Sequence, residues 1–236
     1  MLAKSLLFIA SATLALASPC AKSTPTLPYN GGGTELPSPP SGVTLKHIAL
    51  GFGIQNYTCT GYGATPTAIG ALAMLYDITK LYPDGRRRTA LSADAWTDLT
   101  GTTIDSCSVP LNLVSSGGAD SANPFTDPTP LEVDGLSLPF LGHHFFNAAG
   151  TPIFDLGSQL LRATKLKGVN APASANAGPD GTGAVAWLEL GDAGESIGLS
   201  YVYRVLTAGG NSHGCTAEGA SSDSTSYTAQ YWFYGY

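Results

Sequence analysis

The feature that most constrains this chain is a run of six strand-like segments in its second half, mostly joined by short turns. They read LPFLGHHFF, PIFDL, LLRATKLKGV, AVAWLEL, IGLSYVYRVLT and SYTAQYWFYGY. β-branched and aromatic residues fill them, and Gly, Pro, Asn and Ser separate them. Short turns bring consecutive segments back beside one another antiparallel, and so many strands must stack or close to bury their apolar faces. The expectation is an all-β fold, an antiparallel β-sandwich or barrel with long loops and at most one or two short helices. Composition agrees, because only 12% of the 236 residues are charged while 29 are Gly, 16 Pro and 11 Tyr.

In the first half, TLKHIALGFGIQNYTC alternates with Ile48, Leu50, Phe52 and Ile54 on one side, as a strand with one buried face does. Gly51 and Gly53 on the other side leave room for a bulge or a second backbone. TAIGALAMLYDIT is ambiguous by periodicity; Pro66, Gly70 and the aromatic and β-branched residues near its end favour a strand. The best helix is LSADAWTDL, with Ser92 placed to cap it and Leu91 to staple onto Trp96. Residues 115–130 and 169–183 read as loops. Arg86-Arg87-Arg88 follows the turn signal Pro83-Asp84-Gly85 and reads as a solvated loop.

The opening MLAKSLLFIASATLALASPC carries Lys4, an apolar run and a small-x-small Ala15-Leu16-Ala17. Residues 1–17 are therefore expected to be a signal peptide, too short for the roughly 20 apolar residues of a membrane span. Residues 18–42 follow as a Pro/Gly-rich arm and 43–236 as a single β domain. A secreted, extracellular protein is expected. Loss of Lys4 leaves a net charge of about −7, which argues against nucleic acid as a partner. Cys20, Cys59, Cys107 and Cys215 form two disulfides in an oxidising compartment, with three connectivities open. Their spacing contains no zinc pattern. Asn56-Tyr57-Thr58 is an N-glycosylation sequon, usable where Asn56 is exposed.

Two motifs fail on context. GFGIQN approaches a dinucleotide fingerprint, but its third glycine is Asn56, and the following TCTGYGATP cannot supply the helix N-terminus that a pyrophosphate needs. Gly194-Glu195-Ser196-Ile197-Gly198 spells a nucleophile elbow, yet LSYVYRVLT after it is strand-like, and His213 precedes every remaining acid. A turn between strands is expected there.

The adjacent histidines His143 and His144 lie on a strand, so their rings point to opposite faces and cannot share an ion without a bulge. A metal site would need His47 or His213 nearby, and none is expected; nor is a cofactor. Arg204 alternates onto the face of Val202 and Leu206. If that face is buried, the guanidinium needs a partner, for which Glu189, on the Trp187 face of its strand, is a candidate.

GIQNYTC, the G-x-H-F stretch at 142–145 with PIFDL after it, AVAWLEL, YVYRVLTAGG, Gly214-Cys215 and SYTAQYWFY occur in that order. Together they resemble a family of secreted fungal and bacterial proteins whose domain has no assigned function and whose fungal members are often labelled malate dehydrogenase. The resemblance runs from about residue 40 to the C-terminus and implies that Cys59 pairs with Cys215, leaving Cys20 for Cys107. It places the family's histidine on His144 and its R-V-x-T-A-G-G run at Arg204. This chain departs in having Leu206 where Asn is usual, His143 beside the matching histidine, and no cysteine near Thr79 and Lys80. Nicotinamide-dependent malate oxidation needs a dinucleotide fold, a histidine with an acidic orienter, and arginines clamping two carboxylates; the sequence offers none of these sets.

The function expected is binding at a cell wall or at a host or environmental surface. The ligand is a cell-wall glycan or a small apolar molecule, met by exposed aromatics and by His144, Arg204, Trp187 and Glu189. The competing expectation is an extracellular enzyme, hydrolytic or metal-assisted, centred on His144 with Arg204 and a carboxylate such as Asp155 or Glu189.

Overall fold

The structure is a computed structural model that describes residues 24–85, 87–115, 117–216 and 221–236. The expected signal peptide, Cys20 and Arg86 lie outside them. Eight antiparallel strands close into a barrel: β1 (Thr44–Thr58), β2 (Thr67–Asp77), β5 (Phe140–Phe146), β6 (Pro152–Asp155), β7 (Leu160–Val169), β8 (Trp187–Asp192), β9 (Tyr201–Gly209) and β10 (Ser222–Gly235). Around the wall they run β1-β10-β9-β8-β7-β6-β5-β2. A separate hairpin joins β3 (Leu131–Val133) to β4 (Leu136–Leu138), and the helix α1 spans Ala93–Ser106. The barrel, rather than the sandwich, is thus the way the strands close.

β1 is buried on both faces, not one. Its Ile48, Leu50 and Ile54 belong to a layer outside the barrel that includes Trp96 and Leu99 of α1. Ala49 and the two glycines face inward, where Ala71, Ala73, Phe154, Leu161, Leu190, Val202, Tyr227, Tyr231 and Phe233 from strands all round the wall meet. An eight-stranded barrel is only wide enough for side chains, so large rings on some strands demand small residues on others. A Cβ on Gly51 would lie 2.4 Å from the Tyr231 ring, and one on Gly53 would lie 1.8 Å from the Leu72 carbonyl oxygen.

The helix starts where expected, the Ser92 hydroxyl accepting from the Ala95 N–H at 3.2 Å, but runs on through the Gly and Thr residues to Ser106. Tertiary bonds tie the first half and the middle of the helix to β10. Thr228 Oγ1 donates to the Thr100 carbonyl (2.8 Å) and Gln230 Nε2 to that of Trp96 (3.1 Å). Thr228 and Gln230 can be fully buried in β10 because these bonds satisfy them. No helix among the described residues is long and apolar enough to cross a membrane.

Candidate functional site

The two faces of the wall divide the candidate residues. His144 lies inside, its ring stacked on Phe154 with centroids 4.1 Å apart and beside Tyr231 at 5.8 Å. Arg204 sits directly opposite Tyr231 in the β9–β10 register, so it faces inward too. Its Nε and Nη2 donate to the Ala186 carbonyl at 3.1 and 3.0 Å, while the hydroxyls of Tyr227 and Tyr231 bond each other at 2.9 Å. Burial raises the pKa of both tyrosines against the pull of the Arg204 charge.

The expected Arg204–Glu189 ion pair does not form. Leu188, not Glu189, faces Arg204 across the β8–β9 ladder, and Glu189 accepts from the Tyr203 hydroxyl at 3.1 Å on the outer face. The ion pairs among the described residues join Arg87 to Asp84, Arg162 to Glu195, and His213 to Asp180 and Asp223. Arg204 instead rests on a carbonyl dipole, tolerable because its charge is delocalised and weakly hydrated.

The His144 Nδ1 bonds the Ile153 carbonyl at 2.8 Å. A carbonyl only accepts, so the neutral ring carries its proton on Nδ1. Burial drives the His144 pKa down to about 4, the Ile153 bond opposes this, and Arg204 adds to it. A base that weak takes no proton at neutral pH. Asp155 does not join it: that carboxylate accepts from the Gly157 N–H at 2.9 Å, and the residue pairs across the ladder with His143. Among the described residues, the interior therefore brings His144 and Arg204 together without an acid.

His143 points outward against Phe125 and Phe140, with centroids 4.2 and 5.0 Å away, so the twin imidazoles do diverge. His47 bonds Gln159 and His213 bonds Asp223. No group of three metal-ligating side chains is found among the described residues. The sequon residue Asn56 is half-buried in β1, accepting from the Ser224 hydroxyl at 2.8 Å. Ser196 donates to Asp192 and accepts from the Arg162 N–H between β8 and β9, a turn role rather than a nucleophile's. Cys59 and Cys215 form a disulfide, tying the end of β1 to the loop after β9. Cys107 carries a free thiol; Cys20, the partner the resemblance gave it, is outside the described residues.

The outer face carries a cleft of about 630 Å³ between α1, residues 172–176, the start of β8 and a bulge in β9. Thr97, Asp98, Thr102 and Asp105 line it from the helix, Ser174 and Asn176 from the loop, and Trp187, Leu206 and Thr207 from the barrel. A bulge creates the last wall. Val205 pairs with Gln230 and Ala208 with Thr228, so Leu206 and Thr207 together oppose Ala229. Leu206 takes φ 46° there, a conformation leucine rarely adopts. Trp187 is 2% exposed, and its indole N–H has no acceptor. Of the candidates named from sequence, only Trp187 reaches this cleft. The exposed aromatics are Tyr29, Tyr62 and Tyr236, and none lines it.

The model of a family described as proteins of unknown function, DUF3455, matches residues 39–235. The chain belongs to that family. No curated protein and no solved structure shows significant similarity to it. Nothing in the match bears on malate oxidation, and GFGIQN, the one dinucleotide-like stretch, lies wholly within β1. The DUF3455 match takes in every strand of the barrel and the whole of the α1 cleft.

Proposed function

We propose that this DUF3455 protein is exported and acts by binding a neutral, hydroxyl-rich ligand, a cell-wall glycan, in the cleft beside α1. One observation carries the reading: the buried Trp187 forms part of the cleft wall while its N–H has no acceptor. An unsatisfied buried donor costs about 1–3 kcal/mol, and a ligand oxygen that displaces the atoms covering the N–H would satisfy it. The lining narrows the ligand class. Thr, Ser and Asn side chains both donate and accept, and Asp98 and Asp105 accept. No basic side chain lines the cleft among the described residues, so an anion would meet two carboxylates uncompensated. A small apolar ligand would desolvate those polar groups without replacing their hydrogen bonds. Export is supported by the Cys59–Cys215 disulfide, which persists in oxidising compartments.

The test is calorimetric titration with soluble chitin, β-glucan and cellulose oligosaccharides, alongside co-sedimentation with the insoluble polymers. Trp187→Phe keeps an aromatic ring and removes the donor, and it should weaken binding on the order of two- to tenfold. Absence of binding across the panel, or full affinity in Trp187→Phe, would overturn the reading.

A further inference from the structure

The cleft wall at residues 172–176 belongs to the loop between β7 and β8. The ends of that loop are held by the Asn30 side chain on the Asn170 carbonyl and by the Asn211 N–H on the Gly183 carbonyl, and its middle is held at Asn176 and Asp180. Beside the cleft, Asn176 donates from Nδ2 to Asp105 Oδ2 at 2.7 Å, and its carbonyl accepts from the Gly209 N–H at 3.0 Å. Four residues on, Asp180 Oδ2 lies 3.7 Å from His213 Nε2. The other ring nitrogen, Nδ1, lies 2.9 Å from Asp223 Oδ1 at the start of β10. Asp223 is itself anchored, accepting from the Ser212 hydroxyl at 2.6 Å and the His213 N–H at 2.9 Å. The imidazole thus stands between a fixed carboxylate and one carried by the loop.

Its protonation state decides whether it can hold both. The imidazolium has an N–H on each nitrogen, one for each carboxylate. A neutral ring keeps its single N–H toward the closer Asp223 and turns a lone pair toward Asp180, which repels it. We propose that His213 is a proton-operated latch on the cleft: charged, it ties the 172–183 loop to β10; neutral, it releases Asp180 and loosens that wall.

Among the described residues, the charged groups facing His213 are Asp180 from the loop and Asp223 from β10. Tyr57 of β1, on which the Asp223 charge acts, keeps its proton because burial raises its pKa. The Asp223 hydrogen bond raises the His213 pKa, partial burial opposes it, and the charges of Asp223 and Asp180 raise it further. The latch therefore closes in mild acid and opens as pH climbs through that raised value. That it controls ligand affinity rests on the cleft being the ligand site.

Hydrogen exchange on the full chain tests the latch without any ligand. The Gly181 and Gly183 amides, bonded to the Gly178 and Ala177 carbonyls at 3.0 and 3.1 Å, are the reporters. Corrected for intrinsic rates, their protection should fall on the order of two- to fivefold from about pH 5.5 to about pH 8.5, the scale of an exposed ion pair. Asp180→Ala should give the weaker protection at both pH values. Equal protection at both in the wild type, or a pH response that survives Asp180→Ala, would overturn the latch. Oligosaccharide titrations at the same two pH values separate the claims. A responsive loop with no binding leaves the latch standing and removes the ligand reading; binding with an unresponsive loop does the reverse.

Discussion

Replacing His144 with a side chain that cannot titrate should flatten the acid limb of the stability curve. Burial holds the His144 pKa at about 4, against 6.5 for a free imidazole. The unfolded chain therefore takes up a proton that the folded barrel refuses, and unfolding gains that free energy as pH falls. The stabilisation is fully present above pH 6.5 and is lost progressively as pH falls to about 4. At about 1.36 kcal/mol for each tenfold change in proton affinity, the loss comes to about 3 kcal/mol. His213, shifted the other way, contributes stability that is fully present below 6.5 and lost as pH rises through its raised value, and it is common to wild type and variant.

The assay is urea denaturation at half-unit steps from pH 7 to 4, comparing wild type with His144→Gln, which can still donate to the Ile153 carbonyl. Carboxylates and His143 titrate in both proteins and cancel in the difference. The wild type should lose about 3 kcal/mol more than the variant across the window, and the His144 ring signal should titrate near pH 4 by NMR. Parallel curves, or a His144 midpoint near 6.5, would refute a desolvated imidazole inside the barrel.

Gly53→Ala should cost about 3 kcal/mol or more, the top of the overpacking range, because the new Cβ meets the rigid Leu72 carbonyl; Gly61→Ala, with open space around it, should be near neutral by the same melts. Replacing Cys59 and Cys215 by Ser opens a link spanning 156 residues and should cost about 2–5 kcal/mol, read from denaturation midpoints. Arg204→Met fills the space but leaves the Ala186 carbonyl without its donor and should cost about 1–3 kcal/mol, whereas Arg204→Ala adds a cavity and should cost about 2–5 kcal/mol. A Met variant as damaging as the Ala variant would mean that the guanidinium, rather than the space it fills, holds the barrel shut.

Much of the wall was legible because strand periodicity is local. The divergence of His143 and His144 follows from the pleat alone. What periodicity does not say is which face is inside: for β1 it marked the Ile48, Leu50, Phe52 and Ile54 row as the buried one, and the narrow interior took the glycine row instead. Register is equally non-local, and a one-residue difference put Leu188 rather than Glu189 opposite Arg204. The second half of α1 was hidden because its Gly and Thr residues are held by long-range packing, with Thr103 and Ile104 buried and Ile104 set against Phe52 and Ala208. The β3–β4 hairpin did have a signal, Asp134-Gly135 between apolar residues with both φ positive, as a two-residue hairpin turn requires.

The candidate site was the least legible part because its anomalies exist only in three dimensions. Arg204 and His144 look functional by residue type, yet each has its structural need met, one by a carbonyl and tyrosine surroundings, the other by stacking and a backbone bond. The outer cleft shows the opposite balance. It holds a donor with no acceptor and a leucine in a left-handed conformation, together costing a few kcal/mol on general scales. Local rules broken twice in one concave wall mark where selection has acted for something other than stability. That contrast, more than any residue type, is what supports placing the proposed ligand site in the cleft rather than in the interior.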